Sequence, residues 1–193
     1  VLRFRFATFE DVPAIVQLVE SAYRGPASRR GWTTEAELLD GQRTDAAEVG
    51  ELLQDLAARL ILALDEGLVA SIAVRRTDAG LAHIGMFAVS PERQAGGVGR
   101  ALLAEAERVG AEVLGCATGE MTVIRQRDTL LAWYARRGWS LTGETEPFPY
   151  GDARFGLPRR DDLEFLVLHK ALLAPSSGQE LAGGAASGST HNG

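Results

Sequence analysis

The segment richest in chemistry is Val89-Ser90-Pro91-Glu92-Arg93-Gln94-Ala95-Gly96-Gly97-Val98-Gly99-Arg100-Ala101-Leu102-Leu103. An apolar run ends, glycines cluster, and a helix pattern starts at once. The first N–H groups of a helix have no intrahelical acceptor, and the peptide dipoles place about half a positive charge there. An anion fits such a place, and glycines let the main chain come close to a phosphate. Arg93 and Arg100 can add charge-assisted bonds. A tight turn into a packed helix would need the same glycines, so the cluster alone leaves both readings open. Two other phosphate loops do not fit. A Walker loop continues Gly-Lys-Ser/Thr, whereas Gly99 is followed by Arg100-Ala101. A dinucleotide fingerprint needs a third glycine and an opening βαβ unit, and here hairpins precede the loop.

The elements that must hold this loop are legible from apolar spacing. Residues 3–6 alternate as a short strand. Thr8 reads as a helix cap with Asp11 in the capping-box position. Ile15, Leu18, Val19 and Ala22 follow at helical spacing, up to a stop near Arg24-Gly25-Pro26. After a Gly/Pro/Arg loop over 25–32, Thr33 or Thr34 should cap a short helix ending near Gly41. A further helix is expected over 45–58, with Val49, Leu52, Leu53 and Leu56 on one face. Runs 60–64 and 68–74, parted by Asp65-Glu66-Gly67, read as a hairpin. A third strand covers 81–89. A long helix over 97–114 carries a core stripe of Leu102, Leu103, Ala106, Val109 and Val113. A buried strand lies at 120–124, and Asp128 can cap the helix holding Leu131, Trp133 and Tyr134. Gly138 stops that helix, a strand starts at Trp139, 146–162 is a long loop, and 163–170 is the last strand. The pattern predicts an α/β (α+β) fold with a mixed, mostly antiparallel sheet of six to seven strands flanked by helices. Residues 1–172 form the expected domain; 173–193 are Gly/Ser/Ala-rich and read as a disordered tail.

Bulk composition narrows the function. A chain of 193 residues suits one domain with a full core. Hydrophobic residues make up 46% and charged residues 24%, an ordinary globular balance. No apolar run reaches the ~18 residues of a membrane helix, and the start of the chain has no secretory pattern. The formal charge of -6 argues against a nucleic-acid partner. A lone cysteine, Cys116, excludes an internal disulfide and cysteine-cluster metal sites, so no metal is expected. These features fit the cytoplasm. Nearly all cations are arginine, Lys170 being the one lysine, which points to base composition rather than to a ligand.

Gln94-x-x-Gly97-x-Gly99 resembles the Gln/Arg-x-x-Gly-x-Gly/Ala signature of the GNAT acetyltransferases. The likeness runs back through Met86-Phe87-Ala88-Val89 and forward into Ala101-Leu102-Leu103. It resumes at Leu131-Ala132-Trp133-Tyr134-Ala135-Arg136-Arg137-Gly138-Trp139, which is similar to the family's Tyr-x-x-x-Gly-Phe motif. The resemblance covers about residues 3–170 and is strongest over 81–145. It implies acetyl transfer from acetyl-CoA to a primary amine of a small molecule or peptide by direct attack, with a homodimer left open. A non-catalytic acyl-CoA-binding module of the same fold is the alternative.

Residue by residue, the resemblance places the pantetheine arm along Phe87 and Val89, held through main-chain bonds like an added strand. It places the pyrophosphate on the N–H groups of Gln94, Ala95, Gly96, Gly97, Val98, Gly99 and Arg100. Tyr134 falls where family members carry the tyrosine that protonates the departing thiolate. His83 lies six residues before Val89, the offset of the base glutamate in histone-type members. In a regular strand 83, 85, 87 and 89 share a face, though a bulge would break that parity. An ordinary strand histidine is the competing reading. Glu35 and Glu37 are further base candidates, against a solvated helix face. Many members carry asparagine seven residues before the tyrosine; here that position is Arg127. The acceptor pocket is implied between residues 23–41 and 146–162, both rich in arginine, acids and aromatics.

Overall fold

A computed structural model describes residues 1–172; the tail expected to be disordered lies outside the described residues. In chain order the elements are β1 (Arg3–Phe6), α1 (Val12–Tyr23), α2 (Gly25–Ser28), β2 (Leu39–Asp40) and α3 (Ala46–Gln54). There follow β3 (Ala58–Leu64), β4 (Leu68–Arg76), β5 (Ala82–Val89), α4 (Val98–Arg108) and β6 (Thr118–Ile124). The chain continues with α5 (Asp128–Ala135), β7 (Ser140–Pro147), β8 (Leu157–Pro158) and β9 (Glu164–Ala171).

Seven strands form one sheet in the order β1-β3-β4-β5-β6-β9-β7. Every pairing in it is antiparallel except β5 with β6, which run parallel. The period of two along each strand decides which layer a side chain joins. On β3, Leu60 and Leu62 pack with Ile15, Leu18, Val19 and Ala22 of α1 and Val49 of α3. Ile61 and Ala63 turn to the other face, where Leu102, Leu103 and Ala106 of α4 cover them. The sheet is thus sandwiched in its first half, by α1 and α3 on one side and α4 on the other, and α5 residues join the α4-side cluster. A smaller cluster of Leu39, Ile124, Phe148 and Leu163 closes the top of the second half.

The cap at Thr8 follows the sequence: Asp11 accepts from the Thr8 N–H at 2.8 Å. Asp45 accepts from the Glu48 N–H at 2.8 Å at the start of α3. Asp128, expected as a cap, is instead the first residue of α5 and makes no capping bond among the described residues. Three further expectations fail. Residues 33–41 form turns and the two-residue strand β2, not a helix; β2 pairs with β8, so tertiary pairing overrides local helix preference. The helix expected to 58 ends at Gln54, which leaves Leu56 90% exposed. After α4 the chain widens into a π turn, Val109–Val113. That turn shifts the 3.6-residue phase, so Gly110 and Ala111 face the core while Val113 is 45% exposed.

Candidate functional site

The parallel register of β5 and β6 comprises only Ala82↔Gly119 and His83↔Glu120. Beyond it β5 carries a bulge. Gly85 pairs with Ala73 and Ala88 with Ser71, so β5 has one residue more than β4, and Met86 sits at φ 44°. The bulge reverses the facing of everything after it. Ala82, Ile84 and Val89 face α4 together with Phe87, whereas Met86 and Ala88 face α1. His83 therefore lies on the face opposite to Phe87 and Val89.

Where β5 and β6 part, a cavity of about 300 Å³ opens. Its walls come from Tyr23, from Trp32 and Thr33, from Phe87 and Val89, from Gln94, Ala95, Gly97, Gly99 and Arg100, and from Leu130, Trp133, Tyr134 and Arg137. The structure thus brings Phe87, Val89, most of the glycine loop and Tyr134 together around one space. Gly96 and Val98 do not line it, and the Val98 side chain is buried in the core. His83 is not in the wall; its Nδ1 lies 3.6 Å from Glu120, which also meets His169 at 2.9 Å. Arg93, expected to help with an anion, is paired with Asp65 in the β3–β4 turn.

The loop geometry follows from its glycines. Pro91–Gly96 is a 3-10 stretch, and Gly97 at φ 77°, a left-handed conformation, turns the chain into α4. A Cβ on Gly97 would meet nothing within 4 Å. One on Gly99 would touch Val89 at 3.5 Å, Phe87 at 3.6 Å and Trp133 at 3.8 Å. The first N–H groups of α4 lack helical acceptors and stand at the cavity wall. Small residues, free donors and a helix N-terminus next to an apolar trough suit a phosphorylated ligand with a narrow organic arm.

Gln94 does more with its side chain than the sequence suggested. Its Oε1 accepts from the Trp32 N–H at 2.8 Å, and its Nε2 donates to Thr33 Oγ1 at 2.7 Å and to the Val89 carbonyl at 3.1 Å. The amide thus ties the strap over 31–33 to the glycine loop and to β5. A Cβ on Gly31 would fall 2.5 Å from Gln94 Oε1, so a larger residue there would displace the Gln94 amide from these bonds. Trp32 then stands 6.0 Å from Trp133, which is 6.1 Å from Phe87 and 5.1 Å from Tyr134.

Tyr134 is 6% exposed. Burial, then the neighbouring Tyr23, pushes its phenol well above the ordinary value, so it holds its proton. Tyr23 donates its hydroxyl to the Phe87 carbonyl. Behind Tyr23 lies a charge cluster. Glu35 meets Arg24 at 2.6 Å, Arg127 at 3.0 Å and Arg43 at 3.8 Å. Burial alone would raise the Glu35 carboxyl, but the charges of Arg127, Arg43 and Arg24 outweigh it and hold the group below the ordinary carboxylate range. Arg43 and Arg127 also lie 5.5 and 5.6 Å from the Tyr23 ring centre. Glu35 is thus a buried structural anion, not the solvated residue or free base that the sequence suggested. Arg127, which stands in the asparagine position, also donates to the Thr33 carbonyl at 2.5 Å. Nothing local in the sequence joins Glu35 to Arg127; only the fold does.

The two segments expected to build an acceptor pocket meet through β2 and β8, Leu39↔Pro158 and Asp40↔Leu157. Their arginines are mostly neutralised nearby, Arg154 by Asp152 at 2.6 Å and Arg159 by Asp40 at 3.3 Å. Among the described residues no helix is long and apolar enough to cross a membrane, and no group of three His, Cys, Asp or Glu could hold a metal ion.

Comparison with known proteins shows the family and the fold. The sequence model of the acetyltransferase (GNAT) family matches residues 14–139. No curated protein sequence matches the chain. Many solved structures share the fold. The ribosomal-protein-S18-alanine N-acetyltransferase of Escherichia coli is 16% identical over 92% of this chain and 98% of its own, with a TM-score of 0.66. An N-acetyltransferase of Staphylococcus aureus Mu50 is 10% identical over 89% of this chain and 98% of its own, with a TM-score of 0.64. The spermidine/spermine N-acetyltransferase of Vibrio cholerae is 14% identical over 89% of this chain and 92% of its own, with a TM-score of 0.62.

Proposed function

Because the chain belongs to the GNAT acetyltransferase family, we propose that it transfers an acetyl group from acetyl-CoA to a primary amine, by direct attack in a ternary complex. The observation that carries this reading is the single cavity in which the glycine loop, the Phe87–Val89 strip and buried Tyr134 meet. Its residues fit the co-substrate. The N–H groups around Gly97, Val98, Gly99 and Arg100 would take the pyrophosphate, and the apolar trough of Phe87, Val89 and Trp133 would take the pantetheine arm. Acetyl-CoA supplies an activated thioester carbonyl. The amine nitrogen forms a bond to the carbonyl carbon as the carbon–sulfur bond breaks.

Tyr134 gives its proton to the leaving sulfur and regains one from solvent. Its raised proton affinity does not by itself oppose this step, because the same burial also disfavours a bare thiolate in the cavity. The amine proton leaves to water in this reading, since His83 stands outside the cavity wall. Cys116 is buried in the core behind α4 and offers no nucleophile to the cavity. Residues 1–172 act as one domain, and the single buried thiol fits a cytoplasmic setting.

The experiment is thiol release from acetyl-CoA over a panel of amines: polyamines, amino acids, aminoglycosides and peptides with free N-termini or lysines. We expect turnover on one class. Tight CoA binding with no thiol release on any of them would favour a non-catalytic acyl-CoA-binding module instead.

A further inference from the structure

Three arginines gather at one rim of the cleft. Arg100 lies in the first turn of α4, and Arg136 and Arg137 follow the end of α5. Arg100 and Arg137 both line the cavity. Among the described residues none of the three has a carboxylate partner. By contrast Arg29, Arg30, Arg154 and Arg160 on the acceptor side each have one within 3.5 Å. The chain carries 26 acids against 20 Lys and Arg, so an uncompensated cluster of cations is not what its surface offers by default.

Arg137 is also pre-set. Its guanidinium lies 3.5 Å over the Trp133 ring, and its Nη1 donates to the Trp133 carbonyl at 2.7 Å. Its Nε is buried without a hydrogen-bond partner. Burial, then repulsion from Arg136 and Arg100, lowers its proton affinity, so all three charges are within electrostatic reach of one another. A folded protein holds like charges together at a cost, and a bound anion removes that cost. The pyrophosphate of the proposed co-substrate has the main-chain donors of the loop. The rim arginines are left over, and a rigid, stacked guanidinium suits a phosphate monoester dianion.

We propose that Arg137, with Arg100 and Arg136, forms a second phosphate subsite that takes the ribose 3′-phosphate of the coenzyme. This rests on the acetyl-CoA reading and goes beyond it, since it makes the chain discriminate CoA from its dephosphorylated form. Arg137 sits at one of the unspecified positions of the Tyr-x-x-x-Gly motif.

The test is calorimetric titration of CoA and of 3′-dephospho-CoA into wild type and Arg137→Ala. Wild type should bind CoA about tenfold or more tightly than dephospho-CoA, a ratio that falls as salt rises. Arg137→Ala should cut the ratio to about twofold while leaving the dephospho-CoA affinity within about twofold of wild type. If Arg137→Ala does not fold, Arg136→Ala, at an exposed position, carries the test and should reduce the ratio by a smaller factor. Equal affinity of wild type for both ligands overturns the subsite and leaves the acetyl-CoA reading intact. A ratio unmoved by the substitution does the same. Binding of neither ligand to wild type overturns both.

Discussion

The two flanks of the cleft are built on different principles. The glycine-loop flank presents main-chain donors, a trough of β5 and α5 side chains, and three arginines, Arg100, Arg136 and Arg137, that have no acid partner among the described residues. Its parts are close in sequence: Phe87 to Arg100 is one continuous segment, and Trp133 to Arg137 another. The strap flank is an ion network. Glu35 holds Arg24, Arg43 and Arg127 together, and the last of these is 92 residues away. One flank is left with charge to offer a ligand; the other spends its charges on its own shape. A motif can therefore announce the first flank, whereas the second exists only after folding.

The largest effect that separates the flanks is expected at Glu35. Replacing it with glutamine leaves Arg24, whose side chain is 6% exposed, without its counter-charge. Breaking a buried pair in this way costs about 3–5 kcal/mol. Urea unfolding should show a loss of that order, and a loss under about 1 kcal/mol would mean that the network is not a structural anchor. The pH dependence has a definite sign. The folded Glu35 carboxyl lies below its ordinary value of 4.5. Its contribution is therefore present above that value and is lost as pH falls through the depressed folded one. Other carboxylates, Asp11 among them, are also depressed and lose stability in acid. The difference between wild type and Glu35→Gln isolates the one group: it should be full near neutrality and shrink in acid.

Next in size is Tyr134→Phe, on the opposite flank. Loss of a general acid lowers kcat by about 10- to 1000-fold. CoA affinity should stay near that of wild type, because none of the protein's own hydrogen bonds among the described residues involves this hydroxyl. Unchanged turnover would remove Tyr134 from the chemistry and leave it as a core aromatic.

The contrast also explains what the sequence made legible. The sheet-and-helix order follows from apolar spacing, and the cap at Thr8 from side chains that bond their own neighbourhood. The glycine loop is readable because local residue types dictate its main-chain geometry: a strand end, a left-handed Gly97 and the start of α4. Parity along β5 is not. Gly85 inside the strand run allows a bulge but does not fix it, and the positive φ falls on the non-glycine Met86; the bulge sends His83 away from the cavity. The strand β2 was hidden because its partner, Leu157–Pro158, lies more than a hundred residues on. The exposed Leu56 sits at helical spacing, but the helix ends two residues before it, at Gln54.

Gln94 is the point where the two flanks touch, and it sharpens the comparison most finely. Its main chain belongs to the loop, but its side chain holds the strap through Trp32, Thr33 and Val89. Gln94→Ala removes the side-chain bonds and leaves the main-chain donor. Each such bond contributes about 0.5–1.5 kcal/mol net, so kcat/KM for the amine should fall by about tenfold as the strap loosens. The affinity for CoA should change by less than about twofold, because the loop keeps its shape. The opposite pattern, weak CoA binding with kcat unchanged at saturating CoA, would assign the strap to the coenzyme side. The cleft would then have one functional flank with a lid, rather than two flanks that meet at a single amide.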